Sequence, residues 1–154
     1  MRPRVALTCA GQRPARGDLF FGRIPTERAM RRVIRSDEAP AAIGPYSQAI
    51  VSGGLVWASG QIALDPETGL LLEGGIEAQT RRTLTNLKAV LEAGGSGLDR
   101  VLRATVYLAD MADFAVFNQV YAEFFREDPP ARACIEVSAL PKGARIEIDA
   151  VATA

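Results

Sequence analysis

Residues 101–109 read Val101-Leu102-Arg103-Ala104-Thr105-Val106-Tyr107-Leu108-Ala109, and this stretch decides the fold class. Apolar and polar side chains alternate with a period of two, the mark of a strand with one face in a core. Leu102, Ala104, Val106 and Leu108 form one set, and Arg103, Thr105 and Tyr107 the other. Two later stretches, Ala131 to Ala139 and Ala144 to Ala152, alternate in the same way. Ala133, Ile135 and Val137 oppose Arg132, Cys134 and Glu136, while Ile146 and Ile148 oppose Arg145, Glu147 and Asp149.

Working outward, the segments that flank these strands read as helices. On the N-terminal side Ile76, Thr80, Thr83, Leu84, Leu87, Val90 and Leu91 recur at helical spacing, and Gly94-Gly95 ends the pattern. On the other side Asp113 is placed to cap a helix that carries Phe114, Phe117, Tyr121, Phe124 and Phe125 on one face before Pro129-Pro130. Earlier still, Ser47 to Ser52 and Leu55 to Ile62 form a hairpin through Gly53-Gly54, preceded by a short run at Val33-Ile34-Arg35. Asp65-Pro66-Glu67-Thr68-Gly69 is a turn. The order ββ(β)αβαββ predicts an α+β domain with a mixed sheet and both helices on one face. In this reading Arg132, Cys134 and Glu136 join Glu147 on the opposite, polar face. That face is either solvated or an oligomer interface holding a polar pocket.

Composition narrows the chemistry. The chain has 154 residues, enough for one domain of ordinary size. It contains no histidine, which excludes Ser-His-Asp and Cys-His devices and histidine-ligated zinc. Cys9 and Cys134 are too far apart to suggest a disulfide framework, and a reducing, cytoplasmic compartment is the expectation. No run approaches the roughly 18 apolar residues that cross a bilayer, so no membrane partner is expected. The overall charge is zero, but residues 1–29 hold six arginines against Asp18 and Glu27, which leaves residues 30–154 net acidic. With only two lysines in the chain, a nucleic-acid partner is not expected.

Residues 1–29 lack a periodic apolar pattern and are expected to lie outside the core. Three readings stand: a start assigned upstream of Met30, a disordered basic tail, or a transit peptide. The absence of serine before Ser36 weighs against the last.

Several ordered motifs carry a family resemblance over residues 30–154. They are Ile43-Gly44-Pro45-Tyr46-Ser47-Gln48-Ala49, Ala58-Ser59-Gly60-Gln61-Ile62, Asp113-Phe114 with Asn118, Pro130-Ala131-Arg132-Ala133-Cys134-Ile135-Glu136-Val137, and Leu140-Pro141-Lys142-Gly143 before Ile146-Glu147-Ile148. Together they resemble the Rid (reactive intermediate deaminase, YjgF-type) family, and its arginine-containing branch in particular. The resemblance implies a chorismate-mutase-like fold, a homotrimer with pockets between subunits, and no cofactor. It implies hydrolysis of enamine and imine intermediates such as 2-aminoacrylate and 2-iminobutanoate, released by pyridoxal-phosphate enzymes, to 2-oxo acids and ammonia.

The same resemblance assigns roles. Arg132 anchors the substrate carboxylate, a task suited to a planar donor fork that stays charged. Spacing alone would favour an ordinary ion pair with Glu136 or Glu147; the full motif favours the anchor. Glu147 corresponds to the water-activating acid, against a plain solvated strand residue. Tyr46 and Ser59 resemble pocket hydroxyls, although a packing tyrosine and a strand-end serine read equally from the residues alone. Cys134 contacts ligand through its backbone in the family, and an isolated cysteine is commonly a small buried apolar residue. Asn118 reaches the pocket from a helix. Two alternatives to the deaminase stand beside it: a non-catalytic regulatory module that binds small carboxylates, and a ribonuclease or translation inhibitor. Chorismate mutase activity rests on fold analogy alone.

Overall fold

The computed structural model describes residues 31–154, so the expectations for residues 1–29 lie outside the described residues. Its strands are β1 (Arg32–Ile34), β2 (Ala49–Ser52), β3 (Leu55–Ile62), β4 (Val101–Leu108), β5 (Ala131–Glu136) and β6 (Ile146–Thr153). Helix α1 (Ile76–Ala93) joins β3 to β4, and α2 (Phe114–Phe124) joins β4 to β5. The sheet order is β1-β2-β3-β6-β4-β5, with β4 and β5 parallel and every other pair antiparallel. The last strand therefore fills the centre of the sheet, between two strands separated in sequence by α1.

Helix α1 packs on β3 and β6 and against α2. Its predicted stripe is buried in full, with Leu84, Leu87, Val90 and Leu91 completely inaccessible. The stop at its C-terminus has a mechanical cause. Gly95 takes a φ of +87°, its N–H donates to Glu92 O at 2.9 Å, and Ser96 N–H donates to Leu91 O at 2.9 Å. This is a Schellman closure, which satisfies the last carbonyls and needs a residue free to turn left-handed.

The periodic reading missed two buried polar residues of α1, Gln79 and Asn86. Asn86 Nδ2 donates to Ile62 O at 3.0 Å and Leu64 O at 2.8 Å. Gln79 Oε1 accepts from Arg145 N–H at 2.8 Å and its Nε2 donates to Leu72 O at 3.3 Å. Both side chains replace hydrogen bonds that irregular backbone would otherwise lack, and both tie the ends of β3 and β6 to the helix layer.

Three expectations are corrected. Leu102 does not join the core set: the β4–β6 register shifts between Val101 and Arg103, so Leu102 sits in a bulge and is 51% exposed. Asp113 does not cap α2 through its side chain. Its carboxylate instead takes Arg145, with Nη2 at 2.8 Å and Nε at 3.1 Å, while Asp110 Oδ1 accepts from Ala112 N–H in the preceding turn.

The third correction concerns β5, whose alternation has the opposite phase. Arg132, Cys134 and Glu136 pair in register with Ala104, Val106 and Leu108, the buried helix-side residues of β4. Ala133 and Ile135 pair with Thr105 and Tyr107 on the open face, where Ile135 is 46% exposed. Strand β5 lies at the sheet edge and turns Arg132 and Glu136 to the helix side and Ala133 and Ile135 to the open side, so the period showed alternation without showing which set faced inward.

Candidate functional site

The predicted site residues fall into two clusters on opposite faces of the sheet. The first contains Tyr46, Ser59 and Glu147, which line one cavity of about 380 Å³ with Gly60, Ile43 and Pro141. The second contains Arg132, Asn118 and Cys134 on the α2 side.

The first cluster is built on a bulge in β3. Ala58 pairs with Ala150 and Gln61 with Ile148, so Ser59 and Gly60 together oppose a single residue of β6. Ser59 Oγ donates to Ser47 O at 2.7 Å, and Ser59 N–H donates to Gln48 O at 3.0 Å. With its one hydroxyl proton committed, Ser59 presents only lone pairs to the cavity. Tyr46 complements it: its oxygen accepts from Ile43 N–H at 3.4 Å, which leaves its own O–H to donate.

Gln48 holds the entry segment that carries Tyr46. Its Oε1 accepts from Ser36 N–H at 2.8 Å, and its Nε2 donates to Ser36 O, Ala39 O and Pro40 O at 3.0, 3.2 and 2.8 Å. Gln48 also lines the cavity. The sequence reading quoted it within a motif and gave it no role. The signal in the sequence is an amide three residues beyond the Gly44-Pro45 turn, at the start of an apolar strand.

Glu147 projects from β6 over Gly60, and burial pushes its carboxyl above the ordinary value of 4.5, with the charge of Asp149 adding to the effect. Among the described residues no basic side chain lies within 4.0 Å of it. An acid raised in this way holds a proton more readily than a solvated carboxyl, which suits it to both taking and returning one.

In the second cluster the Arg132 guanidinium carbon lies 4.6 Å from the Tyr121 ring centroid and 5.0 Å from that of Phe117. One amino group donates to Asn118 Oδ1 at 2.8 Å. Neither alternative ion pair forms: among the described residues no carboxylate lies within 4.0 Å of Arg132, and Glu136 Oε2 accepts from Met111 N–H instead. The aromatic faces orient the fork without neutralising it, so its remaining donors face a cavity bordered by Asn118, Tyr121 and Pro130. Burial raises the Cys134 thiol against a lowering by Arg132, and the side chain packs on the core. A protonated, half-buried thiol is a poor nucleophile. Among the described residues no group of three acidic, cysteine or histidine side chains is arranged to hold a metal ion.

Arg132 and Glu147 are separated by β4 as well as by the thickness of the sheet. Two strand spacings alone are about 10 Å. One copy of the chain therefore does not bring the fork to the acid.

Comparisons with known proteins agree with the motifs. Residues 36–154 match the family described as endoribonuclease L-PSP. The chain is 54% identical over 123 residues to a RutC family protein of Pyrococcus horikoshii, spanning 80% of this chain and 98% of that one. It is 46% identical over 123 residues to the 2-iminobutanoate/2-iminopropanoate deaminase of Homo sapiens, spanning 80% and 90%. The crystal structure of RidA from an Antarctic Psychrobacter superposes with a TM-score of 0.78 at 45% identity, covering 80% of this chain and all of that one (100%). The chain thus belongs to the endoribonuclease L-PSP family, the Rid family whose motifs it carries.

Proposed function

We propose that this protein hydrolyses reactive 2-imino acids and their enamine tautomers, of the 2-aminoacrylate and 2-iminobutanoate class, to 2-oxo acids and ammonia. The site is completed between two copies of the chain in a homotrimer. The observation that carries this reading is the pair of complementary half-sites on opposite faces: an acid with two hydroxyls, and an oriented guanidinium with no carboxylate partner among the described residues. Support also comes from the relatives whose names specify that deaminase activity. The open sheet face carries Trp57 at 49% and Ile135 at 46% exposure, apolar surface that a second copy would remove from water.

Chemistry follows from the parts. The Arg132 fork binds the planar carboxylate and places the C=N carbon against the cavity of a neighbouring copy. Ser59, an acceptor, and Tyr46, a donor, orient the water and the imine nitrogen. Glu147 takes a proton from water as its oxygen bonds to the imine carbon and the C=N pair moves to nitrogen. The same carboxyl then returns that proton to nitrogen, giving the neutral carbinolamine; the freed carboxylate takes the carbinolamine hydroxyl proton and passes it to the amine nitrogen, so the C–N bond breaks as the C=O bond forms and ammonia leaves. Imines of this kind hydrolyse unaided, so orientation and charge complementarity suffice for acceleration.

Such substrates arise by elimination from amino acids on pyridoxal phosphate, which makes enzymes of that class the expected suppliers. A pyridoxal-phosphate dehydratase supplying the imine, with and without this protein, tests the reading: faster appearance of 2-oxo acid supports it, and an unchanged rate rejects it. The ribonuclease activity in the family's description has the acidic balance of residues 30–154 and the missing histidine against it.

A further inference from the structure

Glu147 has a second acid beside it. Asp149 follows two residues along β6 on the same open face, about 7 Å away by strand geometry. Its Oδ2 accepts from the Tyr107 hydroxyl at 2.9 Å. Tyr107 is in turn the direct cross-strand partner of Glu147 in the β4–β6 ladder, and Thr105 that of Asp149. One tyrosine thus stands beside one carboxyl and ties down the other.

We propose that Tyr107 and Asp149 are positioning residues for Glu147, the tyrosine holding a second carboxylate at a set place beside the acid that handles the water proton. The inference rests on the proposed role of Glu147. It adds residues that neither the motifs nor the two half-sites include.

The physical reason is a division of labour between two acids on one face. The Tyr107 hydroxyl donates to Asp149 Oδ2 and so fixes where that acidic side chain stands on the face. A fixed negative charge nearby disfavours a second one, so Glu147 is the member of the pair that carries a proton readily. The direction found for Glu147, raised by burial first and Asp149 second, agrees. The Tyr107 hydroxyl is itself held protonated, chiefly by its bond to Asp149.

Among the described residues, the other groups lining the cavity beside Glu147 bring no opposing charge. Gly60 and Ser59 face it from β3, Tyr46 from the entry segment and Pro141 from the turn before β6. Arg103 borders the adjoining cavity, which shares Ser59 and Gly60 with that of Glu147 and is lined also by Asp149, Thr105 and Trp57. In the proposed assembly Arg132 of the partner subunit approaches Glu147 and favours its charged form. Asp149 offsets that pull, so the carboxyl can return the proton as well as take it.

The test is a ¹³C NMR titration of the Glu147 carboxyl in the full chain, run beside the pH profile of kcat/KM for imine hydrolysis. Asp149→Asn should move the Glu147 midpoint down by about half to one pH unit, and the acid limb of the profile with it. Tyr107→Phe should move both in the same direction by less, and Asp149→Glu should keep the original values. A Glu147 midpoint unchanged within about 0.2 units in Asp149→Asn, where a nearby charge would shift it by more, overturns the pairing. A midpoint that moves while the acid limb stays in place overturns its part in turnover. Full activity in Glu147→Gln would instead reject the underlying role of Glu147, so the two failures are told apart.

Discussion

Gly60 has no space for a side chain because Glu147 occupies it: a Cβ at Gly60 would stand 2.8 Å from Glu147 Cδ and 3.0 Å from its Cγ. The β3 bulge and the acid are thus one unit, in which a bare backbone lets a carboxyl lie flat against the strand beside it.

Gly60→Ala must therefore displace the Glu147 carboxyl. The backbone at Gly60 needs no left-handed conformation, so the clash is with the acid alone. Turnover should fall about tenfold to a hundredfold, the scale of a misplacement near 1 Å. Thermal melting should drop modestly, by about 1 to 3 kcal/mol of overpacking. Steady-state rates with the dehydratase-coupled assay and a melting curve check both; full activity would show that the carboxyl position does not matter.

Arg132→Ala should reduce imine hydrolysis about a hundredfold or more, the loss expected when a charge-assisted bidentate anchor is removed. Arg132→Lys should not restore it, since an ammonium reproduces neither the fork nor its stacking on Tyr121 and Phe117. Mixing denatured Arg132→Ala and Glu147→Gln chains and refolding them together should regain activity, because about one site in four between subunits of a random trimer would be intact. No recovery would place both residues in one subunit.

For Glu147 the folded carboxyl lies above its ordinary value of 4.5. In the proposed mechanism its carboxylate is the base, so kcat/KM should rise as pH climbs through that raised value and then level. Stability runs the other way. The folded state binds the Glu147 proton more tightly than the unfolded chain, so this group weakens folding as pH rises from the unfolded value through the folded one. Glu147→Gln should consequently melt higher than the native protein at pH 7 and match it at low pH. A lower melting temperature at pH 7 would contradict the sign.

Gln48→Ala should remove the pins of the entry segment and leave three carbonyls without their donor. The cost should be about 2 to 3 kcal/mol in denaturant unfolding. KM should rise more than kcat falls, because Tyr46 loses its support while Glu147 keeps its bulge. An unchanged KM would mean that the entry segment holds its place without Gln48.

The strands and helices were legible because their side chains repeat at the periods of the backbone itself. Leu84, Leu87, Val90 and Leu91 fall on one helical stripe, and Ile146 and Ile148 on one strand face, and all are buried where that reading placed them. Ordered motifs named Tyr46, Ser59 and Glu147, and folding brought these three into one cavity. The sequence by itself thus determined the element order and the inward faces of α1 and β6, and it named the candidate site residues. Only the tertiary structure decided that Arg132 turns toward α2 and away from Glu147, and that Gly60 and Gln48 shape the cavity. Periodicity reports that neighbouring side chains point in opposite directions. Which direction is inward at an edge strand depends on the ladder it joins, and β5 takes its phase from Ala104, Val106 and Leu108, far away in sequence.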